Sequence, residues 1–143
     1  MTDSPERQAR VRQIYRALPH EVFDAWITPS TIRRWLFADP TSEIVRVDVD
    51  ARVGGTFSIL ERGTDGDVDH IGQFLEIDRP NRLVYELRVP RHFPGTTRVT
   101  VEVSSVGDGA ELVLTQAGVP PEVTEMVWRN MLARLAGVLA TPE

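Results

Sequence analysis

The period of the hydrophobic pattern changes along this chain, and those changes constrain its fold more than any single residue does. Apolar residues fall at helical spacing in two short segments before residue 40, at every second position over residues 44–114, and at helical spacing again from Trp128 to Leu139. Alternation is typical of half-buried strands, and the later stripe is typical of an amphipathic helix. With a first strand over residues 10–17, the pattern predicts an α+β protein of one strand, two short helices, six further strands and one long C-terminal helix.

Prolines mark where the two short helices begin and end. Pro19 suits the first position of a helix, where a missing N–H costs nothing. Thr28 precedes Pro29 and is therefore disfavoured in the α region, so the first helix should end there. Ser30 is then the expected N-cap of the second helix.

The dipeptide Asp65-Gly66 predicts a tight hairpin, because both central residues of a type I′ turn need positive φ. With these two residues as the loop, the register of the flanking strands follows. It places Phe57 opposite Phe74, Ile59 opposite Gly72, and Glu61 opposite His70. Apart from Glu61 and His70 this face is apolar, and a glycine on it either lets the sheet bend or leaves room for a ligand; the sequence leaves both open.

Composition limits the classes of partner. The chain has 143 residues, which predicts one domain over 1–143 with an ordered core over about 10–140. A net charge of −5 argues against nucleic-acid binding. The N-terminus lacks an apolar signal sequence, no apolar run is long enough to span a membrane, and there is no cysteine, so we expect a cytoplasmic protein that does not bind membranes.

Residues that would bind a metal or act as a nucleophile are not in a recognisable pattern. The three histidines, His20, His70 and His92, are too far apart for a metal site, and no phosphate-binding loop or hydrolase motif occurs. We therefore expect no metal and no cofactor. The Glu61–His70 pair is either a cross-strand charge pair near the hairpin tip or a polar anchor at the mouth of a cavity.

Several motifs, in their order and spacing, carry a resemblance to a known family. They are Tyr15-Arg16-Ala17, Val22-Phe23, Trp26 with Pro29, Trp35, Gly54-Gly55 with Phe57, Asp65-Gly66, residues 72–77, Pro80 with residues 82–84, and Trp128 with Leu132 and Leu135. The chain resembles the helix-grip (SRPBCC) superfamily of START domains, birch-pollen-allergen-like proteins and polyketide cyclases. Within it, the pattern is most similar to bacterial domains named after the activator of the ninety-kilodalton heat-shock protein's ATPase. The resemblance implies a curved seven-stranded antiparallel sheet around the C-terminal helix, with a hydrophobic cavity between them.

Three positions depart from the family pattern. Phe37 and Val127 stand where glycines are common and could narrow the cavity. Glu61 adds a charge where an apolar residue is usual.

The leading hypothesis is a domain that binds a hydrophobic or amphipathic small molecule between the sheet and the last helix, without catalysis. The expected ligand-binding residues are Trp35, Phe57, Ile59, Glu61, His70, Phe74, Tyr85, Leu87, Val101, Leu114, Trp128 and Met131. Each apolar one could equally be ordinary core.

Two alternatives stay open. One is a polyketide cyclase or dehydratase that uses Glu61 or His70 to move protons. The other is a co-chaperone-like interaction module that exposes Phe93 in the loop over residues 90–96. A homodimer is compatible with each hypothesis.

Overall fold

A computed structural model describes residues 8–37, 40–91 and 95–140 of the chain. The strands are β1 (Gln8–Tyr15), β2 (Glu43–Val49), β3 (Thr56–Gly63), β4 (Gly66–Asp78), β5 (Arg82–Arg88), β6 (Thr96–Val106) and β7 (Gly109–Ala117). The helices are α1 (Pro19–Asp24), α2 (Pro29–Trp35) and α3 (Pro121–Ala140). This order confirms the predicted α+β class and the seven strands.

All seven strands form one antiparallel sheet in the order β1-β7-β6-β5-β4-β3-β2. The sheet curves around α3, which packs against β1 and α2. The predicted stripe of α3 is buried at Trp128, Met131, Leu132 and Leu135. The hydroxyl of Tyr15 donates a hydrogen bond to the backbone carbonyl of Leu132 at 2.9 Å, so a buried polar contact also joins the first strand to the last helix.

The two short helices both begin at a proline. Pro19 is the first residue of α1, as predicted. The predicted N-cap at Ser30 is wrong, because α2 begins at Pro29 and its N-cap is Thr28. The Thr28 hydroxyl donates to the backbone carbonyl of Asp24 at 2.7 Å, which uses that side chain to close the end of α1 rather than to cap α2.

The predicted register of the β3–β4 hairpin is wrong by two residues. Gly63 pairs with Gly66, so the loop is Thr64-Asp65 rather than Asp65-Gly66. Phe57 therefore lies opposite Gly72. Ile59 lies opposite His70, and Glu61 lies opposite Val68. A shift of two residues keeps every side chain on its predicted face, since the side-chain period of a strand is two.

A long-range contact explains why the local turn rule failed. Arg91, which follows β5, donates from Nη1 to the carbonyl of Asp67 at 2.9 Å and from Nη2 to the carbonyl of Asp65. Gly66 has a φ of 116°, and a Cβ there would lie 2.7 Å from Arg91 Nη1. The hairpin thus takes a conformation that requires glycine at position 66, because the Arg91 side chain occupies the space where a Cβ would lie.

The space above Gly72 is filled by protein. A Cβ at Gly72 would lie 2.1 Å from Cε2 of Phe57, so the phenyl ring covers the glycine. Of the two explanations for this glycine, room for a ligand is excluded at this point of the sheet. Among the described residues, no helix is both long enough and apolar enough to cross a membrane.

Candidate functional site

A cavity of about 490 Å³ lies between the sheet and the N-terminal half of α3. Its walls come from β4 to β7, from Phe37 two residues after the end of α2, and from α3 and the segment that leads into it. The lining residues are Phe37, His70, Leu87, Val89, Thr97, Gln116, Val119, Pro120, Val123, Thr124, Val127, Trp128 and Met131. This volume lies within the range of roughly 300–1,000 Å³ that is typical of small-molecule sites, and the walls are mostly apolar, as such sites require.

One wall of the cavity carries a chain of buried hydrogen bonds. Trp128 Nε1 donates to Gln116 Oε1 at 2.7 Å, and Gln116 Nε2 donates to Thr97 Oγ1 at 2.9 Å. The Thr97 hydroxyl is 3.5 Å from the backbone carbonyl of Leu87, which is long for a hydrogen bond. Because an indole N–H can only donate, it fixes the orientation of the Gln116 amide and thereby the direction of the whole chain.

Sequence reasoning missed Thr97 and Gln116, although a signal was present. Gln116 continues the inward alternation of Leu112 and Leu114 along β7, and Thr97 continues that of Val99 along β6. A polar side chain at an inward position of a strand needs a hydrogen-bond partner, because its burial without one is unfavourable. Such a residue is therefore a candidate for the wall of a cavity.

A second polar group in the cavity wall is His70. Its Nε2 lies 2.9 Å from Oε1 of Glu61, and the two side chains are only 8% and 15% exposed. The two residues lie diagonally across the β3–β4 ladder rather than opposite each other. The pair is therefore largely withdrawn from water, His70 lines the cavity, and Glu61 supports it from outside the lining.

Phe37 covers the imidazole and holds an unusual backbone conformation. Its ring stacks on that of His70 with centroids 4.0 Å apart and planes 3° apart. Its φ is 60°, in the left-handed region, which costs a bulky residue about 1–3 kcal/mol. Its backbone N–H donates to Met131 Sδ at 3.1 Å, and its ring lies 6.1 Å from that of Trp128. Contacts with α3 and β4 thus hold this residue in the cavity wall.

The predicted ligand-binding residues divide into three groups. His70, Leu87, Trp128 and Met131 line the cavity. Glu61 contacts it only through His70. The others are buried in the core and are not among its lining residues: Trp35, Phe57, Ile59, Phe74, Tyr85, Val101 and Leu114.

Two of these core residues carry polar atoms with different surroundings. Trp35 Nε1 donates to the carbonyl of Ala25 at 3.0 Å. The Tyr85 hydroxyl has no hydrogen-bond partner within residues 8–37, 40–91 and 95–140, and burial raises the pKa of this phenol. Phe93, the residue of the interaction-module hypothesis, lies outside the described residues.

With this geometry established, comparison with known proteins gives a family. The model of the Activator of Hsp90 ATPase homolog 1-like protein family matches residues 16–140. The chain belongs to this family. No curated protein matches it. The structure of CV1439 from Chromobacterium violaceum is similar, with a TM-score of 0.87, 25% identity, and coverage of 96% of this chain and 99% of that one.

Two further solved structures share the fold of this Activator of Hsp90 ATPase homolog 1-like chain. The AHSA1-like protein from Aeromonas hydrophila has a TM-score of 0.81 and 22% identity, with 93% of this chain and 92% of that one covered. CalU16 from Micromonospora echinospora has a TM-score of 0.70 and 26% identity, with 93% and 76% covered. These matches confirm the predicted helix-grip architecture.

The two bulky residues that were expected to narrow the cavity do not close it. Phe37 and Val127 both line it, and a volume of about 490 Å³ remains. Val127 is 48% exposed, and its neighbour along the same helix face, Val123, is 52% exposed. Both valines line the cavity and are partly exposed to solvent, so the apolar lining extends to the protein surface.

Proposed function

We propose that this protein binds a hydrophobic or amphipathic small molecule in the cavity between the sheet and α3. The observation that carries the proposal is the combination of an apolar cavity of about 490 Å³ with a few fixed polar groups. A ligand that replaces water in an apolar cavity of this size gains about 25 cal/mol for each Å² of apolar surface buried.

Access to the cavity supports the same function. Val123 and Val127 keep about half of their surface in water while they line the cavity. Apolar residues in such a position allow an apolar compound to enter without crossing a polar barrier. They also lie on α3, whose remaining buried residues anchor the helix to the sheet, so entry does not require the core to open.

The test is binding of an uncharged solvatochromic dye, Nile red, together with native mass spectrometry of freshly purified protein. Leu87→Trp places a larger side chain on the inward face of β5, within the cavity lining, and should lower the dye affinity by about tenfold or more. Leu60→Trp on the outward face of β3 is the matched control and should leave the affinity unchanged.

The two variants decide the result once thermal melting shows that both are folded. Dye binding that is equal in wild type and in Leu87→Trp would refute the cavity as the binding site. A small molecule that co-purifies with the wild type and is lost from Leu87→Trp would support the cavity and give the ligand class.

A second candidate is a proton-transfer enzyme of the polyketide cyclase or dehydratase kind. The observation that favours it is the short, buried contact between Glu61 and His70 at the cavity wall. A carboxylate behind an imidazole orients the ring and stabilises its protonated form. Turnover of a short poly-ketone by wild type and by Glu61→Gln tests it, and equal rates would remove the catalytic role.

A further inference from the structure

We propose that the cavity selects an uncharged ring compound whose carbonyl or hydroxyl group bonds to the Gln116–Thr97 pair. The inference rests on the proposed function and adds the chemical class of the ligand. Three features of the wall carry it: its charge, the spare hydrogen-bonding capacity of the buried pair, and the aromatic surface beside that pair.

The wall offers no counter-charge for an ionised ligand. None of its residues, within the described parts of the chain, is Asp, Glu, Lys or Arg. Its one titratable side chain is His70, which is held 2.9 Å from Glu61. Glu61 lies outside the lining and is engaged with His70, so the wall itself presents no carboxylate to a ligand cation and no lysine or arginine to a ligand anion. A ligand carboxylate would lose its hydration without compensation, which is strongly unfavourable.

The buried pair can still form hydrogen bonds with a neutral group. Gln116 uses one N–H towards Thr97 and one lone pair of Oε1 towards Trp128, which leaves a second N–H and a second lone pair. The Thr97 hydroxyl lies 3.5 Å from the Leu87 carbonyl oxygen, which makes this hydrogen bond long and weak. The hydroxyl therefore gains by donating to a closer acceptor on a ligand. A carbonyl or hydroxyl oxygen meets both residues in orientations that Trp128 has already fixed.

The surface next to this pair suits a planar ring. Trp128, which orients Gln116, lies 6.1 Å from Phe37, and Phe37 stacks on His70. Aromatic faces favour offset or edge contacts with another ring at such distances. The same wall therefore presents a surface for the ring and a hydrogen-bonding group for its substituent.

The experiment compares four compounds on one ring system by calorimetry: naphthalene, acetylnaphthalene, naphthoate and naphthylmethylammonium. The indole N–H signal of Trp128, assigned with Trp128→Phe, reports occupancy of the site in isotope-labelled protein. We expect acetylnaphthalene to bind at least about tenfold tighter than naphthoate and naphthylmethylammonium, because an ionised group is desolvated at greater cost.

Variants separate recognition from folding. Gln116→Leu and Thr97→Val should each weaken acetylnaphthalene by about two- to tenfold more than they weaken naphthalene, since a neutral hydrogen bond contributes modestly. Gln73→Leu, whose side chain contacts Gly54 away from the cavity, is the matched control. Naphthalene reports any general change in the cavity of a variant, so the ratio of the two affinities isolates the hydrogen bonds to the carbonyl.

The outcomes distinguish this inference from the function on which it rests. Naphthoate or the ammonium compound binding as tightly as acetylnaphthalene would overturn the charge selection while binding itself stands. Equal affinity of acetylnaphthalene for wild type, Gln116→Leu and Thr97→Val would overturn the assigned recognition pair. Failure of all four compounds and of Nile red would refute the proposed function as well.

Discussion

Substitution of Gly72 by alanine tests the packing of the hairpin directly. The added Cβ would lie 2.1 Å from Cε2 and Cζ of Phe57 and 2.8 Å from Cδ2. To regain an ordinary contact of 3.4 Å, the ring must move by more than 1 Å. It cannot do so freely, because Phe74 and Tyr85 hold it with centroid distances of 5.4 and 5.1 Å.

The change in the free energy of unfolding of Gly72→Ala results from two opposing effects. Overpacking of a core costs about 1–3 kcal/mol. Alanine in place of glycine also restricts the unfolded chain, which returns about 0.4–1 kcal/mol. The net loss in free energy of unfolding should therefore be about 1–2 kcal/mol, which lowers the melting temperature by about 3–8 °C in a chain of this length.

Urea unfolding and thermal melting measure the effect, with Gly137→Ala as the control. Gly137 is exposed in α3, and a Cβ there would meet nothing within 4 Å. That variant should gain about 0.5–1 kcal/mol, because alanine favours the helix. In the double variant Phe57→Leu/Gly72→Ala, the cost of the alanine should largely disappear, since the clashing ring atoms are gone.

The result that would refute this reasoning is a Gly72→Ala variant as stable as wild type or more stable. The phenyl ring would then not cover Gly72, although the observed register places Phe57 directly opposite it. A loss of stability that persists in the double variant would point to a cause other than the contact with Phe57.

Two further predictions concern contacts between distant elements. Arg79 donates to both carboxylate oxygens of Asp24, at 2.7 and 2.8 Å, and this hydrogen bonding lowers the pKa of Asp24 below 3.8. The contribution of this ion pair to the free energy of unfolding is therefore complete above that pH and is lost as the pH falls through the lowered pKa of Asp24. Asp24→Asn should flatten the acid side of a curve of stability against pH. Asp108→Asn, in an exposed turn, is the control and should not flatten it. Tyr15→Phe removes the bond to the Leu132 carbonyl and should lower the free energy of unfolding by about 1 kcal/mol in urea titration; no change would show that this bond does not join β1 to α3.

The candidate site was predictable in part. His70, Leu87, Trp128 and Met131 were expected at a cavity and line one. Ile59 and Val101 also face inward in the alternating pattern of their strands, but they are buried in the core. Periodicity alone does not distinguish a residue that lines the cavity from one that packs in the core. Which inward positions border a void depends on how all side chains fill the space together.

The chain of hydrogen bonds in the cavity wall was even less predictable from the sequence. Thr97, Gln116 and Trp128 belong to β6, β7 and α3, and no short-range pattern connects them. The register of the β3–β4 hairpin was misjudged for a related reason, since Arg91 contacts the loop from the end of another strand.

The sequence by itself determined the class, the number and order of the elements, and the face that each strand turns inward. These depend on periodicity and on prolines and turn residues, whose effects act over a few positions. Only the tertiary structure decided the hairpin register, the position of the cavity, and the polar groups fixed in its wall. Those features arise where side chains from distant segments compete for the same space and the same hydrogen bonds, and that competition exists only in the folded chain.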